Sequence, residues 1–179
     1  RYGGLVATSA QPKLDIALRR TAARAPGLEV LIFGDPQVKS QADVGYYARD
    51  IVDGALSEPH AHLGMSLGDI ADDALSLYPA LNAETRRLHT PWLHASVNHD
   101  MDIDVARDED SLLSFRNVFG PDTFAWEENE AVFVVLDDVI FRPRQKPAYI
   151  GGLREEQFAF LEAYLADAPK DRLLVLAMH

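Results

Sequence analysis

The chain has 179 residues, 47% apolar and 25% charged, enough to bury a core in one domain with the balance of an ordinary globular protein. Its 28 acidic residues outnumber 17 basic ones, and the net charge of -11 argues against a nucleic-acid platform held by phosphate contacts and against binding to an anionic membrane surface. Cysteine is absent, which excludes disulfides and thiolate metal sites, and no apolar run is long enough to span a bilayer.

In chain order, residues 1–28 read as a lead-in segment with a short helix from Pro12 to Ala25, and residues 29–179 as one domain. Glu29 to Phe33 is the first core strand. Val44, Tyr47, Ala48, Ile51, Val52, Ala55 and Leu56 keep a 3.6-residue period, which predicts an amphipathic helix with Asp43 as its N-cap. A Pro/His loop (58–62) precedes a second strand, Gly64 to Leu67. A helical stretch from Ala74 to Leu88 is expected to break near Pro79, and Trp92 to Val97 is the third strand. Asp108 to Phe119 reads as a helix ended by Gly120-Pro121. Thr123 to Trp126 and Ala131 to Leu136 read as a hairpin across a polar turn, Leu153 to Leu165 as a helix with acids in its first turn, and Arg172 to Met178 as the last strand.

Strands alternating with helices predict an α/β layered fold, with a largely parallel core sheet and an antiparallel addition. In such sheets ligands sit beyond the carboxyl ends of the strands. Four strand ends carry chemistry there: Gly34-Asp35-Pro36-Gln37, Gly68-Asp69-Ile70-Ala71-Asp72, Val97-Asn98-His99-Asp100 and Met178-His179. Carboxylates gathered at one edge repel each other, and a multivalent cation removes that cost. Oxygen and imidazole donors together suit Mn, Fe or Zn, whereas an all-oxygen shell suits Mg or Ca. An acidic protein can still act on phosphate esters when bound cations reverse the local field.

These ordered motifs resemble the calcineurin-like metallophosphoesterases, whose pattern runs Asp-x-His, Gly-Asp-x-x-Asp, Gly-Asn-His-Asp/Glu, a His after an apolar strand, then Gly-His-x-His. The resemblance covers about Glu29 to His179, with Leu136-Asp137-Asp138 and Tyr149-Ile150-Gly151-Gly152-Leu153 similar to connecting segments of bacterial members. It implies a layered sandwich of mixed β-sheets flanked by helices. It also implies hydrolysis of a small-molecule phosphate mono- or diester at two metal ions by a metal-bound hydroxide. Asp69 would bridge the ions, Asp35 and Gln37 would bind the first, and Asn98 and His179 the second. His99 would protonate the leaving oxygen, with Asp100 orienting its ring. Runner-up readings are a pyrophosphate or nucleotide hydrolase on the same metals, and a non-catalytic metal- or phosphate-binding domain.

Three departures stand out. Gln37 replaces the usual His with a neutral, harder ligand. Val97 replaces the usual Gly before Asn98, which would strain a left-handed backbone. The Gly-His-x-His element has no counterpart in these residues, which implies a domain incomplete at its C-terminal end and leaves each metal one histidine short. Taken alone, Asp35 and Asp69 also fit turn-forming or capping aspartates, Asn98-His99-Asp100 a polar loop, and His179 a bystander. Asp72 reads as a supporting or capping group, and Asp137 and Asp138 as structural. His94 reads as a satisfied sheet-face histidine, His60 and His62 as surface, and Arg142 and Arg144 as solvated loop residues within possible reach of a substrate phosphate.

Overall fold

The computed structural model describes residues 27–57 and 61–179. The expected helix from Pro12 to Ala25 and the histidine at position 60 lie outside them. The fold is mixed α/β, with several small sheets and helices packed on them. Strands β1 (Val30–Phe33), β2 (Leu63–Leu67) and β3 (Trp92–Ala95) form a parallel sheet in the order β1-β2-β3. A second sheet pairs β4 (Phe124–Glu127) antiparallel with β5 (Ala131–Val135), and β5 parallel with β8 (Leu173–Ala177). β6 (Val139–Phe141) and β7 (Tyr149–Gly151) make a small antiparallel ribbon that the sequence pattern did not reveal.

The two-residue period of a strand sorts the core. In β5, Ala131, Phe133 and Val135 point to a cluster shared with Leu63 and Met65 of β2 and Ala95 of β3, so the two sheets meet there. Val132 and Val134, with Leu136 just beyond the strand, point the other way, onto Phe160, Leu161 and Tyr164 of α5 (Glu155–Asp167). On its outer face the first sheet sends Leu31 and Phe33 into the largest cluster. There they meet Val44 of α1 (Gln41–Tyr46), Tyr47 and Val52 of the π-helical turn that continues it, and Tyr78 and Leu81 of α3 (Tyr78–Thr85). Gly64 in β2 is held to glycine by close approach, because a Cβ there would overlap the Trp92 ring. The Trp92 indole N–H donates to Ser66 Oγ at 2.9 Å.

Several local expectations change. The N-cap of the first helix is Ser40, whose hydroxyl accepts the Asp43 N–H at 3.3 Å. Asp43 sits three residues in, and its carboxylate accepts from the Ser40 hydroxyl at 2.8 Å and from the Lys39 N–H at 3.3 Å. That helix continues through a π-helical turn, Tyr47–Val52, into α2 (Asp53–Leu56). Pro79 does not break its helix; it lies in the first turn of α3, where its missing N–H costs nothing. The stretch from Asp108 splits into a 3₁₀ turn and a shorter helix, α4 (Leu113–Phe119). Among the described residues no helix is long and apolar enough to cross a membrane.

Candidate functional site

The carboxyl ends of β1, β2 and β3 are neighbours, as a convergent site requires. Beyond the strands the first two loops keep running side by side: Gln37 N–H donates to the Asp69 carbonyl at 2.7 Å, Val38 bridges Ala71, and Asp72 N–H donates to the Val38 carbonyl at 3.0 Å. The left-handed region is crossed three times here by residues other than glycine, at Gln37 (φ 44), Asp69 (φ 46) and Asp73 (φ 58). Such backbone is uncommon outside glycine and clusters at functional sites. Gly68 (φ 89) makes the turn into Asp69, and a Cβ there would come within 2.5 Å of a Val97 methyl. Val97 itself is extended (φ -152), so the β-branched residue in the third motif is unstrained and fills the space that Gly68 leaves.

Asp69 is the centre. It is 3% exposed, and burial raises its carboxyl above the usual range. The His99 backbone N–H and the His99 and His179 rings oppose that rise, and the Asp35 charge adds to it. Its partners are few: His99 N–H donates to Oδ1 at 3.2 Å, Gln37 Nε2 stands 3.5 Å from Oδ2, and His179 Nε2 stands 3.7 Å from the same oxygen. The last two separations exceed those of well-formed hydrogen bonds.

His179 arrives from β8, in the second sheet, rather than from a neighbour of β1. Its main-chain N–H donates to Asp138 Oδ1 at 3.3 Å, and its Nδ1 lies 3.3 Å from the Leu67 carbonyl. A carbonyl only accepts, so Nδ1 is the donor to Leu67 and Nε2 is the ring atom turned toward Asp69. This is how metal-ligating histidines are commonly held. Asn98 Nδ2 donates to the Tyr149 hydroxyl at 3.3 Å, and its amide oxygen has no hydrogen bond among the described residues. Asp35 is exposed and, with Gln37, lines a cleft of about 570 Å³ that runs past Phe33 of β1 to Tyr46 and Ile51.

Carboxylate, amide oxygen and imidazole nitrogen thus stand at neighbouring strand ends, a donor set that suits a borderline divalent cation. Gln37, Asp69, Asn98 and His179 could hold it, with Asp35 near enough for its charge to act on Asp69. Among the described residues the one tight group of His and acidic ligand atoms is a different one, Asp72, Asp73 and His99. A proton and an ammonium serve that group: Lys39 Nζ lies 2.5 Å from Asp72 Oδ2, and His99 Nδ1 lies 3.1 Å from both Asp72 Oδ1 and Asp73 Oδ1. Burial lowers the affinity of the His99 ring for a proton, but the Asp73 bond and the charges of Asp69, Asp73 and Asp72 outweigh it, so its pKa is raised.

One expected role is corrected. Asp100 does not orient the His99 ring; it is fully buried beneath the site. Its carboxylate accepts from Ile70 N–H at 3.2 Å, Val97 N–H at 3.3 Å and the Tyr78 hydroxyl at 2.8 Å. Burial pushes Asp100 up to about 7 against those bonds. Asp100 therefore ties the turn after β2 to the turn after β3, and the ring is held instead by the carboxylates at positions 72 and 73. The sequence reading missed Lys39, Asp73 and Tyr149. Asp73 carried a signal as the second acid of the Asp72-Asp73 pair, and Tyr149 opens the segment Tyr149–Leu153 that resembles a connecting segment of bacterial members; Lys39 lies in a segment without a motif. No known family model matches the chain, and no curated protein matches it.

Proposed function

We propose that this chain is a metal-dependent phosphate-ester hydrolase of the calcineurin-like metallophosphoesterase type, its facing sheets and flanking helices forming that family's layered sandwich. One observation carries the reading: Gln37, His99 and His179 come from three different strand ends onto the carboxylate of Asp69, with His179 held by Leu67 so that Nε2 faces Asp69. Asp35, Gln37 and Asp69 would hold one ion, and Asp69, Asn98 and His179 the other. Bound there, a metal pair supplies Lewis acidity and a nucleophile derived from water near neutral pH.

The chain's own residues do the rest. A water oxygen forms the new bond to phosphorus while the ester oxygen leaves. His99 has Nδ1 turned to carboxylates, so Nε2 is the atom that gives the leaving oxygen its proton. Asp100 holds the two turns in register from below. The strain at Gln37 and Asp69 is consistent with side chains held for a task.

The test is turnover of p-nitrophenyl phosphate and bis-p-nitrophenyl phosphate with Mn, Fe or Zn added singly and in pairs, and after chelation. Metal-dependent release of p-nitrophenol is expected, and the ratio of the two rates separates mono- from diesterase. Metal binding seen by calorimetry without turnover of either ester would replace the hydrolase with a non-catalytic binding domain.

A further inference from the structure

We propose that the cleft beside β1 binds a quaternary ammonium group, and that the ester cleaved at the neighbouring site carries that group on its leaving alcohol. The binding stands on the cleft alone; the place of the alcohol rests on the hydrolase reading above.

The cleft, at about 570 Å³, has room for a small molecule. Asp35 and Gln37, assigned above to a metal, line it together with Ile32, Asp43, Tyr46 and Ile51. Ile32, Tyr46 and Ile51 are all exposed, so apolar surface adjoins the two residues assigned to an ion.

The charge of the lining has one sign. It holds three carboxylates, Asp35, Asp43 and Asp50, and among the described residues no lysine, arginine or histidine. Asp50 is cancelled by Arg49, which meets both its oxygens at 2.6 Å. Lys39, the base nearest Asp43 in sequence, turns its ammonium to Asp72 at 2.5 Å. Asp35 and Asp43 therefore make the cleft negative. With ions in place Asp35 is spent on them, and Asp43 is the charge left for a ligand.

The apolar walls select the kind of cation. A primary ammonium is strongly hydrated and asks for three acceptors, which isoleucine and tyrosine surface does not replace. A quaternary ammonium has no N–H to satisfy, carries an apolar body and is attracted to an aromatic face. Tyr46 already serves a cation: the Arg49 guanidinium lies 5.1 Å from its ring centroid, and the residue is still 54% exposed. A chain of net charge -11 also repels a phosphate ester, and a quaternary ammonium on the same molecule offsets part of that repulsion. Hydrolysis breaks the phosphorus–oxygen bond to this alcohol; water supplies the new oxygen on phosphorus and the proton that leaves with the alcohol.

The first test titrates choline and its uncharged isostere 3,3-dimethylbutanol into the metal-free protein and reads the amide chemical shifts. Choline should move the amides of residues 43–51 and bind at least about 5-fold tighter than the isostere. Tyr46→Ala removes an exposed ring and should weaken choline by roughly 3- to 30-fold. Asp43→Asn, which keeps an acceptor for the Ser40 hydroxyl, should weaken it by about 3-fold. Equal binding of cation and isostere, shifts centred elsewhere, or variants that bind as the parent does would overturn the cation site. The second test compares turnover of phosphocholine and 3,3-dimethylbutyl phosphate by the metal-loaded protein. The KM for phosphocholine should be lower by about 5-fold, and the gap should close in Tyr46→Ala. Choline binding in the cleft with equal KM values would overturn the place of the alcohol. Choline binding with turnover of no ester by any of the metals would overturn the hydrolase reading and leave the cation site standing. Release of choline from glycerophosphocholine or from phosphatidylcholine vesicles supports the proposal in either case, the first assigning a soluble ester and the second a lipid headgroup.

Discussion

Two aspartates in this molecule follow buried strands, and they are used in opposite ways. Asp69 ends β2 and Asp137 follows β5; both are nearly inaccessible, at 3% and 2% exposure, and burial raises both carboxyls. Asp137 is saturated. It accepts from Val139 N–H at 3.1 Å and from Arg154 Nη2 at 2.8 Å, and the same guanidinium reaches Asp108 at 3.1 Å and so ties α5 to the turn before α4. Asp69 has one backbone donor and two ring or amide groups held just beyond good bonding distance. Its backbone is left-handed, whereas no such torsion occurs at Asp137. A buried carboxylate with its lone pairs filled is architecture; one kept under-bonded on strained backbone, facing other donors, is a site.

The comparison is sharpest if each aspartate loses what makes it distinct. Asp69→Asn should cut metal-dependent turnover by at least ~10³-fold, roughly 4 kcal/mol of transition-state stabilisation. Thermal stability in the metal-free protein should stay level or rise, because a buried, under-bonded charge is removed. A loss of stability with activity retained would make Asp69 another Asp137. Arg154→Met should show the reverse, since breaking a buried pair leaves an uncompensated charge and costs about 3 kcal/mol in urea unfolding at pH 7.5. The pH dependence has a definite sign. Burial already pushes Asp137 up to about 6, and Arg154 opposes that rise, so its removal moves the carboxyl higher still. A carboxyl raised above its unfolded value binds its proton more tightly in the folded state, so the variant loses stability as pH rises through that value. Its deficit relative to the parent should therefore be smaller at pH 5 than at pH 7.5. An equal deficit at both would remove the charge argument.

The sequence carried the strand ends well and their partners poorly. Gly68 before Asp69 was legible because a positive-φ turn after an apolar run has few alternatives. The apolar run Ala131–Val135 was legible as a buried strand, though not which residues face the other sheet. Pairings remote in sequence were not. The Asp73–His99 contact spans 26 positions, and Asn98–Tyr149 spans 51 across a ribbon that has only three residues per strand. Asp100 was misread because a carboxylate next to a histidine in sequence need not meet it in space. In the 3₁₀ turn Asn98–Asp100 the side chains of consecutive residues diverge, one outward to Asp73 and one down to Tyr78.

Tyr149 gives a smaller test of what under-bonding means. Its hydroxyl accepts from Asn98 Nδ2 and so fixes which end of the amide faces the site. Tyr149→Phe removes that bond without changing shape. Under the hydrolase reading it should weaken binding of one of two Mn ions by about 10-fold in calorimetry and leave the other unchanged, as expected for a supporting partner of a ligand. Equal affinities in parent and variant would show that the amide needs no such partner.

His94 lies between the two aspartates in character and has the smallest expected effect. It sits in β3, buried, packed against the Phe119 ring at 4.1 Å between centroids, with no partner for Nδ1 among the described residues. It was expected to be a satisfied sheet-face residue; it is on the sheet face but not satisfied. Burial alone pushes its pKa down to about 3, so the folded protein holds a neutral ring. Unfolding returns it to about 6.5. The sign follows: above pH 6.5 neither state binds the proton, and as pH falls from 6.5 toward 3 only the unfolded state does, so stability is lost on acidification through that window. At pH 6 the contribution is just under ~1 kcal/mol, growing by ~1.4 kcal/mol for each further pH unit. His94→Phe fills a similar volume and carries no proton. Its urea midpoint should therefore fall less steeply than the parent's between pH 7 and pH 5. If the two slopes coincide, the ring is already protonated in the folded state, and a donor–acceptor pair must exist on that face of the sheet. That would move His94 from the company of Asp69, short of partners, to that of Asp137.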